Sequence, residues 1–277
     1  MNTEAVSRVE TPPERHGMSP LHRLRAAALS DAGARITAYL CGLIGWELLA
    51  RAYDRVPGPA EVVRFLADEI ERGGVWDAFS VTAERFFIGL GIALVAGVLL
   101  GLVMGMVPIA RALLKDTLTV GLAIPAIIWA FLTALWFGFS WKAPVLTVAF
   151  SATPFVAINV LQGVQGTPRD LIRMAKAFNT SVHRRVRELV LPFVMDYVFT
   201  GLRFGIIVGW NAVLLSEWFA STNGVGWRTR YWYDANDFDG FVAWILLFVA
   251  FIVAFDRLVL APIQNRVFRW RTSVAKR

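Results

Sequence analysis

Long apolar runs without a single charge constrain this chain more than any other feature. One is FIGLGIALVAGVLLGLVMGMVP, Phe87 to Pro108, and another is VGLAIPAIIWAFLTALWFGFSW, Val120 to Trp141. A helix of about 20 apolar residues crosses the roughly 30 Å hydrocarbon core of a bilayer, whereas a buried helix of a soluble domain rarely needs that length. The 277-residue chain is 56% hydrophobic. It is therefore predicted to be an all-α integral membrane protein.

About six membrane-spanning helices are predicted where apolar runs alternate with polar connections. They cover residues 36–53, 77–107, 118–137, 143–164, 194–219 and 241–260. Pro125 lies inside the third run, where its missing backbone N–H should kink or interrupt the helix. The chain is expected to divide into a polar N-terminal tail (1–33), a six-helix domain (34–265) and a basic C-terminal tail (266–277).

A short amphipathic helix is predicted between the first two spans, in the stretch EVVRFLADEIERGG. Its apolar residues recur at helical spacing and should face the membrane or the protein. They are Val62, Val63, Phe65, Leu66 and Ile70. Gly73 and Gly74 are expected to end the helix.

The net charge of +7 can be explained in two ways. Strongly basic chains often bind nucleic acid, but in a membrane protein Lys and Arg collect on cytoplasmic loops. Here most of them lie in the two tails and in the loops after the second and fourth spans, while the other loops carry mainly Asp and Glu. We therefore expect both termini in the cytoplasm, contact with anionic lipid and no nucleic-acid partner. Cys41 is the single cysteine and cannot form an internal disulfide.

Glycine recurs at every fourth residue in two of the spans. The second span has Gly97, Gly101 and Gly105, and the fifth has Gly201, Gly205 and Gly209. Such stripes let helix backbones approach closely. They predict helix packing, either within one subunit or between two.

Charged and amide side chains inside a span usually face a cavity or another helix. Glu217, near the outer end of the fifth span, is read as a gate or solute contact, or as a glutamate with a local partner. Arg203, near the cytoplasmic end of the same span, is expected to snorkel or to pair. Glu84 and Arg85 are expected at the membrane interface. The candidate translocation path comprises Trp129, Phe131, Asn159, Gln162, Trp210, Asn211 and Glu217; for each polar side chain, a bond to another helix is the alternative.

The loop between the fourth and fifth spans, residues 166–191, is both basic and amphipathic. DLIRMAKAF predicts a short helix, and Asn179 can adopt the left-handed conformation that ends it. Ser181 can cap the next helix, VHRRVRELV, and Pro192 begins or bends the following span. A helix–turn–helix elbow with an apolar ridge and a cationic flank suits docking into a groove on a soluble partner.

This loop resembles the EAA loop of permeases in bacterial ABC importers, in which Glu-Ala-Ala is followed by a glycine and then by Ile-x-Leu-Pro. The corresponding residues are Arg173, Met174, Ala175, Asn179, Leu189, Leu191 and Pro192. The spacing matches, although Arg173 reverses the charge of the usual glutamate. Four more stretches resemble the nitrate/sulfonate/taurine/bicarbonate permeases: VPGPAEVV (56–63), LWFGF (135–139), TGLRFGIIVGW (200–210) and SEWF (216–219).

The resemblance implies a type I ABC importer permease fold, placed in a bacterial inner membrane. It implies a second permease copy as homodimer partner, two cytoplasmic ATPase subunits on the elbows, and an extracytoplasmic solute-binding protein. The ATPase-coupling residues it implies are Arg173, Met174, Ala175, Ala177, Phe178, Asn179, Thr180, Ser181, Arg184, Leu191 and Pro192. The implied solute is a small anion such as nitrate, a sulfonate, taurine or bicarbonate. A pyrimidine vitamin precursor or an aromatic acid is the alternative.

ATP and Mg²⁺ are expected in the ATPase partner, because this chain has no Gly-x4-Gly-Lys-Ser/Thr phosphate loop. We expect no cofactor bound by the chain itself and no enzymatic activity. A membrane-embedded enzyme would need clustered catalytic groups, yet His16, His22 and His183 are scattered without metal-ligand spacing, so no metal is expected. A secondary transporter or channel would work alone on an ion gradient; the elbow disfavours it.

Overall fold

The computed structural model describes residues 20 to 262, which are almost entirely helical. The helices are α1 (Pro20–Ala52), α2 (Pro59–Glu71), α3 (Gly74–Met106), α4 (Pro108–Ala123), α5 (Ala126–Phe137), α6 (Lys142–Gly166), α7 (Arg169–Ala177), α8 (Val182–Arg185), α9 (Leu191–Ala220), α10 (Val225–Asp234) and α11 (Phe238–Phe255). Wider π-helical turns cover Val186–Val190 and Asp256–Leu260. No strand occurs between residues 20 and 262, and the predicted all-α fold class is confirmed.

The chain forms two compact units, Met1–Pro59 and Ala60–Arg277. In the first unit, α1 contains the first predicted span and begins earlier than expected, so residues 20–33 of the predicted tail are helical. Arg51 pairs with Glu47 at 2.8 Å, and the Trp46 indole N–H donates to the Pro57 carbonyl at 2.8 Å. The predicted basic tail, 266–277, lies outside the described residues.

Four helices in the described part of the chain are long and apolar enough to cross a membrane: Gly74–Met106, Lys142–Gly166, His183–Ala220 and Phe238–Leu260. The bent pair α4 and α5 can supply a fifth span. α1 falls short of this criterion, because it carries Arg35, Glu47 and Arg51 among its apolar residues. The six predicted spans therefore correspond to these four helices, the bent pair and α1.

The third predicted span is broken into two helices. α4 and α5 meet at an angle of 102°. Ile124 is extended and Pro125 has no N–H to donate, so the helix cannot continue through them. Arg111 on α4 donates to the carbonyls of Met104 and Gly105 at 3.0 and 2.9 Å, which satisfies the end of α3 and fixes the start of α4. The prediction that Pro125 kinks or interrupts this helix is confirmed.

The two glycine stripes are the places where α3, α6 and α9 approach one another inside the chain. A Cβ added to the α3 stripe would come within 2.5–2.6 Å of valines on α6; the pairs are Gly97 with Val156, Gly101 with Val160 and Gly105 with Val164. On α9, Gly201 faces Val156, Gly205 faces Ala152 and Gly209 faces Phe86 and Val148. Close backbone contact of this kind gains dispersion energy between helices in a bilayer. The three helices form the centre of the second unit.

The short helix α2 buries a charged residue that the prediction did not single out. Val62 is buried, Val63 and Ile70 are 64% and 50% exposed, and Glu69 is only 4% exposed. The Glu69 carboxylate lies 3.8 Å from the Arg72 guanidinium and 3.9 Å from the Arg228 guanidinium of α10. α10 had no counterpart in the prediction, so the contact with Arg228 was not predicted.

Candidate functional sites

The backbone of the elbow follows the sequence prediction up to residue 181. α7 ends at Ala177, and Asn179, two residues later, has a left-handed φ of 52°. The N–H of Thr180 closes the helix end by donating to the Ala175 carbonyl at 3.0 Å. The Ser181 hydroxyl accepts a hydrogen bond from the Arg184 N–H at 3.4 Å, which is the expected N-terminal cap.

The second half of the elbow continues directly into a membrane span. α8, the π turn Val186–Val190 and α9 are continuous, and together His183–Ala220 form one 38-residue helix. Pro192 lies in the first turn of α9 and cannot donate to the carbonyl four residues earlier, at Glu188. A wider turn placed just before a proline accommodates the lost bond. The separate helix that was expected before Pro192 is therefore the first part of a longer helix that includes α9.

The exposed surface of the elbow is apolar on one side. Leu171, Met174 and Phe178 are 41%, 51% and 79% exposed, whereas Ala175 is turned inward. Arg173, at the position of the EAA glutamate, is exposed and lies 3.8 Å from Asp170. Of the other predicted coupling residues, Ala177, Asn179, Ser181, Arg184 and Pro192 are exposed and Thr180 and Leu191 are half-buried. Their role in coupling stays a prediction.

A buried ion pair lies between α3 and α9. The Glu217 side chain is fully buried, and its Oε1 accepts from Arg85 Nη1 at 2.7 Å. Oε2 accepts from the Thr82 hydroxyl at 2.9 Å and from the Gly226 N–H at 3.0 Å. A buried carboxylate requires this degree of pairing and hydrogen bonding. Glu217 was interpreted either as a gate or solute contact or as a glutamate with a local partner, and the structure shows the local partner.

The same arginine holds the loop between α9 and α10. Arg85 Nη1 also donates to the Ser221 hydroxyl and to the Asn223 carbonyl, each at 3.0 Å, and Nη2 donates to Asn223 Oδ1. The Val225 N–H donates to the Thr82 hydroxyl at 2.9 Å. We call Thr82, Arg85, Glu217, Ser221 and Asn223 the buried polar cluster.

Sequence reasoning missed most of this cluster. Arg85 was expected at the membrane interface, which stays a prediction, but its burial and its pairing with Glu217 were not foreseen: its side chain is only 8% exposed. The available signal was Glu217 itself: a carboxylate inside an apolar span needs a cation, and Arg85 lies at the outer end of another span.

Two glycines leave room for the cluster. Gly224 has a φ of 98°, and an added Cβ would overlap the Glu217 carboxylate. At Gly226 an added Cβ would come within 2.7 Å of the Glu217 Cβ. Both positions therefore require glycine for the loop to close over Glu217.

A chain of buried hydroxyls continues from the cluster to the bent helix pair. Thr133 on α5 and Thr147 on α6 share a hydrogen bond of 2.6 Å, and Thr147 donates to Ser216 on α9 at 3.0 Å. All three side chains are fully buried. Because Ser216 precedes Glu217, α9 carries both networks on adjacent residues. The two networks connect α5, α6, α9, α3 and the loop before α10.

The predicted path residues do not form one group. Trp210 is 2% exposed and stacks on Phe86 with ring centroids 3.6 Å apart, so it is enclosed, as Glu217 is. Trp129 lies beside Phe150 at 5.4 Å, and Phe131, 47% exposed, lies beside Phe219 at 4.6 Å.

The three amides of that prediction lie nearer the surface. Asn159 and Asn211 donate to the carbonyls four residues earlier, and Gln162 is exposed. Asn211 borders a mainly apolar cavity of about 370 Å³ between α9, α10 and α11. The pathway assignment of all seven residues stays a prediction.

No candidate metal site occurs between residues 20 and 262. No three His, Cys, Asp or Glu side chains come together there in a metal-binding group. The buried polar cluster has its charges paired and is enclosed. The described residues show close helix packing, a loop held by hydrogen bonds and an exposed elbow.

Comparison with known proteins identifies the family. Residues 93–264 match the family described as "Binding-protein-dependent transport system inner membrane component". The taurine transport system permease protein TauC of Escherichia coli is 27% identical over 72% of each chain. The putative aliphatic sulfonates transport permease protein SsuC of Bacillus subtilis is 23% identical over 79% of each chain. The nitrate import permease protein NrtB of Leptolyngbya laminosa is 25% identical over 65% of this chain and 68% of its own.

The fold agrees with a solved structure described as an amino acid ABC transporter. The superposition has a TM-score of 0.58 at 16% identity and covers 73% of this chain and 98% of the other. This likeness confirms the type I importer permease fold. Since the family match spans well over half of the sequence, the chain belongs to the binding-protein-dependent transport system inner membrane component family and is the membrane-spanning permease of an ABC importer.

Proposed function

We propose that this permease works as a homodimer whose two elbows each receive a cytoplasmic ATPase subunit, while a solute-binding protein delivers solute from the other side. The observation that carries the proposal is the elbow. Its exposed Leu171, Met174 and Phe178 form an apolar ridge outside the helix packing. An exposed apolar ridge on a short amphipathic helix is the feature that a groove on a partner recognises.

The orientation follows from charge. The elbow and both tails carry most of the Lys and Arg, which supports a cytoplasmic position for the elbow and for both termini. ATP and Mg²⁺ then bind only to the partner subunits, and this chain has no catalytic role. ATP-driven movement of the partners displaces the elbow, and the continuous helix from His183 carries that displacement into the membrane.

The proposed solute is a small anion, of the sulfonate, taurine, nitrate or bicarbonate type. The support comes from the relatives, whose names refer to taurine, aliphatic sulfonates and nitrate. A direct test measures ATP hydrolysis by the assembled importer with taurine, methanesulfonate, nitrate, bicarbonate, a pyrimidine and benzoate as probes. Stimulation by an anion without an aromatic ring supports the proposal; stimulation by the pyrimidine or benzoate alone overturns it.

The elbow is tested by co-purification of the ATPase subunit with tagged permease from membranes. Phe178→Ala should lower the recovered ATPase at least tenfold, while the amount of inserted permease stays the same. Phe139→Ala is the matched control: Phe139 is also an exposed phenylalanine, at 67%, but lies in the α5–α6 connection. Equal loss in both variants, or no loss at Phe178→Ala, would overturn the elbow assignment.

A further inference from the structure

One face of α9 carries three polar or charged side chains at helical spacing, with the apolar Ile207 among them. Thr200, Arg203, Ile207 and Asn211 follow one another at intervals of three or four residues, and all four are exposed. The spacing places them along one side of the helix. We call these four residues the polar face of α9.

The glycine stripe fixes which way this face points. Gly201, Gly205 and Gly209 occupy the opposite side of α9 and pack against α6 and α3. These close contacts fix the orientation of α9 about its own axis. The polar face must point away from the packed centre of the second unit.

Arg203 is level with the middle of α6, a helix long and apolar enough to cross a membrane. Gly201 is opposite Val156 and Gly205 is opposite Ala152, so Arg203, between them, is level with residue 154. α6 runs from Lys142 to Gly166, and its midpoint is also residue 154. Either end of α6 is then about 18 Å away along the axis. A long charged side chain can snorkel to the membrane interface from a position near a helix end, but Arg203 lies too far from either end to do so.

The Arg203 guanidinium has no hydrogen bond or ion pair with any residue between 20 and 262. Asp196 is seven residues earlier on α9, about 10 Å along the axis. An unpaired exposed charge in hydrocarbon is strongly unfavourable, and such charges face a water-filled cavity. The depth also puts Arg203 beyond the level of lipid headgroups. Water, a solute from the pathway and a second copy of the permease are the partners this position permits.

Resting on the proposed function, we propose that the polar face of α9 lines the solute pathway and that Arg203 is its anion-contacting residue. The guanidinium offers five N–H donors in a planar fork that matches an oxyanion. One N–H of the Asn211 amide donates to Ile207, which leaves the other for a passing solute. Phe204 is 48% exposed, and its ring centroid lies 6.4 Å from that of Phe155. It makes one edge of the polar face of α9 apolar. The fit is a small monovalent oxyanion, including one with a short organic part.

The test uses cysteine accessibility in the assembled importer in membrane vesicles. Cys41→Ser removes the single native thiol, and Thr200→Cys, Ile207→Cys and Asn211→Cys are made one at a time. Membrane-impermeant methanethiosulfonates, one bearing a sulfonate and one a quaternary ammonium, should modify all three in at least one nucleotide state. Leu99→Cys is the control, because Leu99 is 58% exposed on an apolar face of α3 and should stay unmodified.

The charge of Arg203 is tested at Ile207→Cys. Arg203→Gln should lower the ratio of anionic to cationic reagent rates about fourfold, as expected for a unit charge about 10 Å away in water. Arg55→Gln removes an exposed charge outside the predicted spans and should leave the ratio unchanged. Nitrate or methanesulfonate should slow modification, and Arg203→Gln should abolish that protection while Arg203→Lys keeps part of it.

The outcomes separate the two proposals. No modification at 200, 207 and 211 overturns the aqueous face, and is also the result expected if a second copy covers it. Modification with an unchanged rate ratio in Arg203→Gln overturns the anion contact. If the chain recovers no ATPase partner, the importer assembly fails, while the accessibility pattern still decides whether the polar face of α9 is aqueous.

Discussion

Arg85 and Glu217 are 132 residues apart in sequence and 2.7 Å apart in space, with side chains 8% and 0% exposed. The pair joins α3 to α9 at the end of α9 remote from the elbow. Arg85 also binds the carbonyl of Asn223, so the loop before α10 is held by the same cation. Loss of either charge should therefore disturb two helices and a loop at once.

Replacing one member of this pair should destabilise the permease strongly. Arg85→Met leaves a buried carboxylate without its cation, and Glu217→Gln leaves the guanidinium unpaired; each should cost about 3–5 kcal/mol. Thermal unfolding of the purified permease in detergent measures the loss. The double variant should lose less than the sum of the two.

The control for this prediction is the exposed pair Arg230–Asp234 on α10. Asp234→Asn should change stability by no more than about 0.5 kcal/mol, because exposed pairs contribute little. Strictly additive losses in Arg85→Met with Glu217→Gln would mean that the two residues stabilise the fold independently.

The glycine stripe of α3 should tolerate no side chain. At Gly101 an added Cβ would lie 2.6 Å from the Val160 Cβ and 2.7 Å from the Ala157 carbonyl oxygen. Gly101→Ala should therefore cost about 1–3 kcal/mol through overpacking. Gly91 on the same helix has nothing within 4 Å, and Gly91→Ala should stabilise by up to about 1 kcal/mol. Equal melting temperatures for the two variants would contradict the packing.

Gly224 and Gly138 allow backbone strain to be separated from overlap. Both have positive φ, 98° and 63°, but only Gly224 faces a neighbour, the Glu217 carboxylate. Gly138→Ala should cost about 1–3 kcal/mol, from strain alone, and Gly224→Ala clearly more. The comparison is made by thermal unfolding. A smaller loss at Gly224 than at Gly138 would show that the loop does not close over Glu217.

The turn at Asn179 should accept glycine but not a β-branched residue. Its φ of 52° suits Asn or Gly, while Val at such an angle is strongly strained. Asn179→Gly should keep solute-stimulated ATP hydrolysis of the assembled importer within about twofold of wild type, and Asn179→Val should abolish it. Membrane insertion, measured by protease protection, should be normal in both variants. Full stimulation in Asn179→Val would show that the turn need not be left-handed.

Pro192→Ala restores a backbone N–H and lets an ordinary α-turn replace the π turn Val186–Val190. The elbow would then rotate relative to α9. We expect solute-stimulated ATP hydrolysis to fall several-fold while the melting temperature changes little. Normal stimulation would show that the π turn is not needed for coupling.

Local features of the sequence predicted the helical parts of the fold well. Uncharged runs located the spans, and the intrinsic preferences of Asn179, Ser181 and Pro125 located a turn, a cap and a break. These features depend on residues close together in sequence. The 102° angle at Pro125 was not predicted, because it depends on how α4 and α5 pack against α6 and α9.

The sites were harder to predict, because their partners are distant in sequence. Glu217 was singled out as a buried charge, but Arg85 could be recognised as its cation only once α3 and α9 were adjacent. The inward turn of Glu69 required α10, which is short and was missed. Arg203 was expected to pair or snorkel, and neither expectation accounts for its level beside the middle of α6.

The unbroken helix His183–Ala220 has a mechanical consequence. At 1.5 Å per residue its 38 residues extend about 57 Å. A tilt of only about 5° about one end displaces the other by about 5 Å. Since Arg85 and Thr82 hold Glu217 near one end of this helix, a tilt about that end would displace the elbow, at the other end, the most.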